Sequence, residues 1–141
     1  MARLLAIDYG RKRCGIAVTD ELQIVATGLA TVPTHTLTDY IKKYIASENV
    51  QTIVVGYPRT MQGEDSESMR YIKPGIANLR KNLPENIDIV FWDERFTSAL
   101  AHRAMIDGGM KKMRRRDKSV VDEMAATIIL NDYLESKSYK Q

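Results

Sequence analysis

Carboxylates stand at three points of this sequence where they could share one piece of chemistry. Asp8 closes the apolar run Leu4–Ile7 and is followed by Tyr9-Gly10. Asp93-Glu94-Arg95 follows the apolar run that ends at Trp92, and Asp122 precedes Ala125-Ala126 in the last long apolar pattern. Magnesium and manganese favour oxygen ligands, so a few carboxylates plus a substrate phosphate suffice to hold them. Two such ions about 3.5–4 Å apart activate a water and stabilise the leaving oxygen of a phosphodiester. Acids so placed predict Mg²⁺- or Mn²⁺-dependent phosphodiester hydrolysis, provided the fold gathers them.

Each acid alone has a plainer reading. Asp-x-Gly is a turn former that bonds its own backbone. Asp93 and Glu94 are adjacent on a strand, so only one of them faces any given site. Ser119-Val120-Val121-Asp122 matches a capping box, which places Asp122 in the first turn of a helix. The segment Asp8 to Asp20 is more specific, because it packs an acid, a tight turn, three cations (Arg11, Lys12, Arg13) and a small-residue strand into one hairpin. Ala125 and Ala126 are small enough to let their helix lie close to a sheet, which would bring Asp122 toward Asp8. His35 and His102 are too isolated to suggest a triad, and no Gly-x-Ser-x-Gly elbow occurs.

The elements that must position these groups follow from apolar spacing. Arg3–Asp8, Cys14–Thr19 and Ile24–Val32 read as three strands joined by short polar turns, the third interrupted by Gly28 and stopped by Pro33, so an antiparallel meander is expected. Leu37, Tyr40, Ile41, Tyr44 and Ile45 make the stripe of an amphipathic helix, capped by Thr34 or Thr36. Thr52–Gly56 is a compact strand. Ser66–Asn82 has helical spacing with a kink or break expected at Pro74-Gly75. Ile87–Trp92 is a fifth strand, and Phe96–Ile106 and Val120–Leu134 are two further helices. Meander followed by alternating helix and strand predicts an α/β fold: a five-stranded mixed sheet, antiparallel then parallel, flanked by helices, in a single domain over residues 1–141.

Bulk properties agree with a globular chain. Hydrophobic residues make up 44% and charged residues 28%, too apolar for disorder. The net charge of +3 is modest, but basic residues crowd into Arg11-Lys12-Arg13 and into Lys111, Lys112, Arg114, Arg115, Arg116 and Lys118, two clusters suited to a polyanion. Arg59, in the Gly56–Gly63 segment after the fourth strand, could meet a phosphate or simply belong to a turn. Cys14 is the only cysteine, which excludes an intramolecular disulfide and a cysteine zinc site. The opening apolar run is too short for a signal peptide or a membrane span, so a cytoplasmic protein is expected.

Four ordered segments carry a resemblance: Asp8–Asp20, Val55-Gly56-Tyr57-Pro58 with Met61-Gln62-Gly63, Asp93–Ser98, and Asp122–Leu130. Together they resemble the YqgF family of pre-16S rRNA nucleases, relatives of Holliday junction resolvases with the ribonuclease H-like fold. The resemblance covers nearly the whole chain. It implies a ribonuclease H-like sheet with a magnesium or manganese site on Asp8, Glu94 and Asp122, Asp93 being held in reserve. It further implies Arg95 and Thr97 as supports or phosphate contacts, and a grip on the nucleic-acid backbone by the Lys111–Lys118 loop. Tyr57, Ile76 and Ser119 depart from residues common in the family, and none is one of the acids.

The expected activity is therefore that of a hydrolase acting on ester bonds, an endonuclease processing the 5′ end of pre-16S rRNA during ribosome biogenesis. Its partners would be structured rRNA precursor and ribosomal particles. A four-way DNA junction resolvase would use the same acids, and would favour a dimer over a monomer. A non-catalytic RNA-binding or transcription-associated factor would keep the fold without the cleavage. An actin-like nucleotide-binding protein would need a second domain for which this chain is too short.

Overall fold

A computed structural model describes residues 2–57, 69–93 and 118–139. Five strands form one sheet: β1 (Arg3–Tyr9), β2 (Arg13–Thr19), β3 (Ala26–Pro33), β4 (Val50–Tyr57) and β5 (Asp88–Asp93). Their order is β3-β2-β1-β4-β5, with β1–β2 and β2–β3 antiparallel and β1–β4 and β4–β5 parallel. Three helices are described: α1 (Leu37–Ser47), α2 (Met69–Lys81) and α3 (Lys118–Tyr139). The expected meander followed by parallel strands is what forms.

Strand β1 reads Leu-Leu-Ala-Ile because it is buried on both faces. Leu5 and Ile7 point to the side of α1 and α2, where they pack with Ile16, Ile53, Ile41, Ile72 and Leu79. Leu4 and Ala6 point to the other side, against Ala126, Ile129 and Leu130 of α3. Ala17 and Ala126 are fully buried there, so small residues on both surfaces let α3 lie close to the sheet.

Several local expectations are corrected. Gly28 does not interrupt β3 but belongs to a bulge: Ile16 pairs with Ala30 and Ala17 with Gly28, leaving Leu29 extra. Neither Thr34 nor Thr36 caps α1 with its side chain. Thr34 instead opens a short 3₁₀ turn and its hydroxyl donates to the Gly10 carbonyl, while Thr36 donates to the Pro33 carbonyl. Helix α2 runs unbroken through Pro74. Pro74 is exposed, so water can take the carbonyl that its missing N–H leaves behind, and its ring meets no core. Helix α3 begins at Lys118, which puts Asp122 beyond its first turn rather than within it. The expected helix Phe96–Ile106 lies outside the described residues.

Candidate active site

Asp8 ends the apolar part of β1 at the carboxyl end of the parallel strands, where open α/β sheets collect ligands. It pairs with Gly15 of β2 on one side and Gly56 of β4 on the other. By strand alternation it shares the face of Leu4 and Ala6, the one covered by α3.

Both flanking glycines are there to admit α3. A Cβ added at Gly15 would run into the Asp122 carbonyl and lie 3.0 Å from the Asp122 Cβ. One added at Gly56 would strike the Ile129 side chain, with Cγ1 at 2.9 Å. Directly opposed residues in an antiparallel pair have Cβ positions about 5 Å apart, which puts the Asp8 and Asp122 side chains on the same face with their Cβ atoms within about 8 Å. That is a spacing two carboxylates can span to share one cation.

Arg13 has the same strand parity as Gly15, and its Nε donates to Asp122 Oδ2 at 2.9 Å. The pair is only part-buried, with the two side chains 39% and 20% exposed. Arg13 thus holds one oxygen of Asp122 and fixes the carboxylate's direction. Arg11 and Lys12 turn away from it. The Arg11 guanidinium lies 5.5 Å from the centroid of the Tyr71 ring, which stacks on Tyr9 at 6.2 Å, on the α1–α2 side. Burial raises the Tyr9 phenol above its ordinary value. It also raises the Cys14 thiol, whose Sγ contacts Thr34 Oγ1 at 3.5 Å.

The other candidates divide as follows. Asp93 is in register with Tyr57 at the end of β5, the last described position of that strand. Glu94, Arg59, Arg95, Thr97, Lys111, Lys112, Arg114, Arg115 and Arg116 lie outside the described residues. Among the described residues no three His, Cys, Asp or Glu side chains cluster for a metal. The structure therefore brings together two of the three acids, Asp8 and Asp122. What sequence reasoning missed was the pairing of Arg13 with Asp122 and the role of Gly15. The signal was the shared parity of Arg13, Gly15 and Ala17, which marks one face as cationic and then small. Among the described residues no helix is long and apolar enough to cross a membrane.

A mixed sheet of order 3-2-1-4-5, with an acid on its central strand and a long helix crossing above it, is a ribonuclease H-like domain. A structure of T. thermophilus RuvC in complex with a Holliday junction substrate shares that fold, with a TM-score of 0.61 over 98% of this chain and 96% of the other, at 14% identity. The family described as RuvX, Holliday junction resolvase, matches residues 2–136, and this chain belongs to it, as the YqgF resemblance implied. Its relatives include proteins named "Putative pre-16S rRNA nuclease". One from Phocaeicola vulgatus is 59% identical over 99% of each chain. Another from Bacteroides fragilis is 53% identical over 97% of this chain and 99% of its own, and one from Porphyromonas gingivalis is 53% identical over 96% and 98%.

Proposed function

We propose that this chain is a divalent-metal-dependent endonuclease that hydrolyses phosphodiester bonds, acting in the cytoplasm on the 5′ end of pre-16S rRNA. The observation that carries the reading is the meeting of Asp8 and Asp122 across the side-chain gap at Gly15. A glycine kept where any Cβ would push the helix away is costly unless closeness itself is useful. The substrate comes from the relatives' names and the hydrolysis from the acids.

The donor set fits a hard cation: two carboxylates, with the Cys14 thiol turned to the other face of the sheet, and a guanidinium that engages only one oxygen of Asp122. Asp8 and Asp122 would hold Mg²⁺ or Mn²⁺. We take Glu94 as the third acid rather than Asp93, because it has the sequence parity of Trp92, which packs on the α3 side. Bound metal would supply Lewis-acid activation of water and of the phosphodiester. Asp8 is held by ladders on both sides, so its carboxylate starts from a fixed point. Arg13 keeps Asp122 from rotating away and brings positive charge to the place where a phosphate would arrive. The family description favours one second reading, resolution of four-way DNA junctions by the same groups.

The test offers purified protein a pre-16S 5′ fragment and a four-way junction, each with Mg²⁺, Mn²⁺ or chelator. Expected is metal-dependent cleavage of the RNA, lost by at least about 100-fold in Asp8→Asn, with thermal unfolding kept. Paired cuts in the junction with intact RNA would replace the first reading by the second. Cleavage unaffected by chelator or by Asp8→Asn would overturn both.

A further inference from the structure

The basic triplet is divided by the sheet. Arg13 stands on the α3 side with the acids, whereas Arg11 and Lys12 line a cleft on the α1–α2 side. The cleft encloses about 760 Å³, within the range of small-ligand sites. Thr38 and Asp39 of α1, Asn78 of α2 and Asn82 just past the end of α2 also line it. Two cations against one carboxylate leave it net positive. Asn78 Nδ2 donates to Thr38 Oγ1 at 3.4 Å and Asn82 Nδ2 to the Asn78 carbonyl at 2.8 Å, and an amide nitrogen carries two N–H groups, so each keeps a second for a ligand.

The walls are tied to one another. Thr34 donates its backbone N–H to the Lys12 carbonyl at 2.9 Å and its hydroxyl to the Gly10 carbonyl at 2.7 Å, which fastens the β1–β2 turn to the start of α1. Tyr9 lies against Gly75 of α2, where a Cβ would collide with its hydroxyl. Arg11 rests on the aromatic pair that results. A cation so supported has less freedom to lose on binding, which favours an anion.

We infer that this cleft is a second phosphate-binding subsite, reached from the acids by crossing the β1–β2 turn. It takes a phosphate of the nucleic-acid chain away from the cleavage point, or the phosphate of a free nucleotide. The inference rests on the nuclease reading for its substrate, not for its chemistry.

The test measures binding of a labelled RNA by anisotropy, with chelator present so that nothing is cut. Asn78→Glu sets a carboxylate in the cleft at an exposed helical position and weakens RNA binding tenfold or more, since like charges at an interface are strongly penalised. Lys12→Ala lowers the slope of log K against log salt by about 0.7–0.9. Lys137→Ala, on the last turn of α3, changes neither. Uridine 5′-monophosphate distinguishes the two sources. If the Asn78 and Asn82 amide signals shift with it and Asn78→Glu abolishes the shift, the site takes free nucleotide. If they stay still while the RNA effects hold, it takes chain phosphate. Wild-type RNA binding by both cleft variants, with no shift on nucleotide addition, overturns the inference. Because metal is absent, a failure of the Asp8→Asn cleavage test would sink the nuclease reading while leaving this result to stand separately.

Discussion

Gly15→Ala tests the geometry most directly. The new methyl would point at the backbone of Asp122, with the Asp122 Cβ at 3.0 Å and its carbonyl closer still. Carbon atoms rest at about 3.5–4.0 Å, so α3 must retreat by roughly 1 Å or β2 must deform. Overpacking of this kind costs about 1–3 kcal/mol, which for a chain of this size lowers Tm by roughly 3–12 °C. Displacing a reacting group by 1 Å can lower turnover about 100-fold. Gly28→Ala is the matched control, since its Cβ would meet the Glu123 Cβ at 3.3 Å and the Thr127 hydroxyl at 3.6 Å, contacts that a shift of a few tenths of an ångström relieves. Cleavage of the pre-16S fragment would be measured at 20 °C, where both variants remain folded, alongside thermal unfolding. The expected pattern is a large loss of turnover for Gly15→Ala and little change for Gly28→Ala. Equal turnover and equal Tm in the two would refute the claim that α3 presses on β2 at Asp122.

Arg13→Ala removes a part-exposed ion pair, so stability falls by no more than about 1 kcal/mol, while the salt slope of substrate binding drops by about 1; an unchanged slope would confine Arg13 to holding Asp122. Burial keeps Cys14 in its unreactive thiol form, so a disulfide reagent at pH 8 labels the native protein at least about 100-fold more slowly than the unfolded chain, and fast native labelling would contradict that burial. Asp20 accepts the backbone N–H groups of Val25, Ile24 and Leu22, which hold its carboxyl below the usual range. Its support of the β2–β3 turn is therefore present above about pH 4 and lost as pH falls through the lowered value. Hydrogen exchange at Ile24 and Val25 should lose protection on that descent and in Asp20→Ala at any pH.

Much of the fold was legible because burial writes itself into spacing. The unbroken Leu-Leu-Ala-Ile of β1 announced a strand covered on both faces, and the Leu37–Ile45 stripe announced α1. The approach of Asp122 to Asp8 was foreseen from Ala125-Ala126, and the structure makes it at Gly15. What escaped was decided by contacts between distant segments. Nothing local tells that Thr34 will spend its hydroxyl on Gly10, twenty-four residues earlier, rather than on the helix it precedes. A rule that presumes a crowded ring predicts a kink or break at Pro74-Gly75, and the exposed setting lets α2 run on without a break. The α1–α2 cleft combines residues of β1, the β1–β2 turn, the 3₁₀ turn, α1 and α2 with no common motif, so only the fold could set Arg11 and Asn78 around one cleft.

The middle position of β1 has a mechanical consequence. A strand bonded along both edges gives up its amide protons only when the whole sheet opens, so the backbone under Asp8 behaves as an anchored base. Asp122 rides instead on a helix held by side-chain packing, an arrangement that can slide by fractions of an ångström. An adjustment between the two is therefore expected in the helix rather than in the strand, and hydrogen exchange should run faster along α3 than at the centre of the sheet.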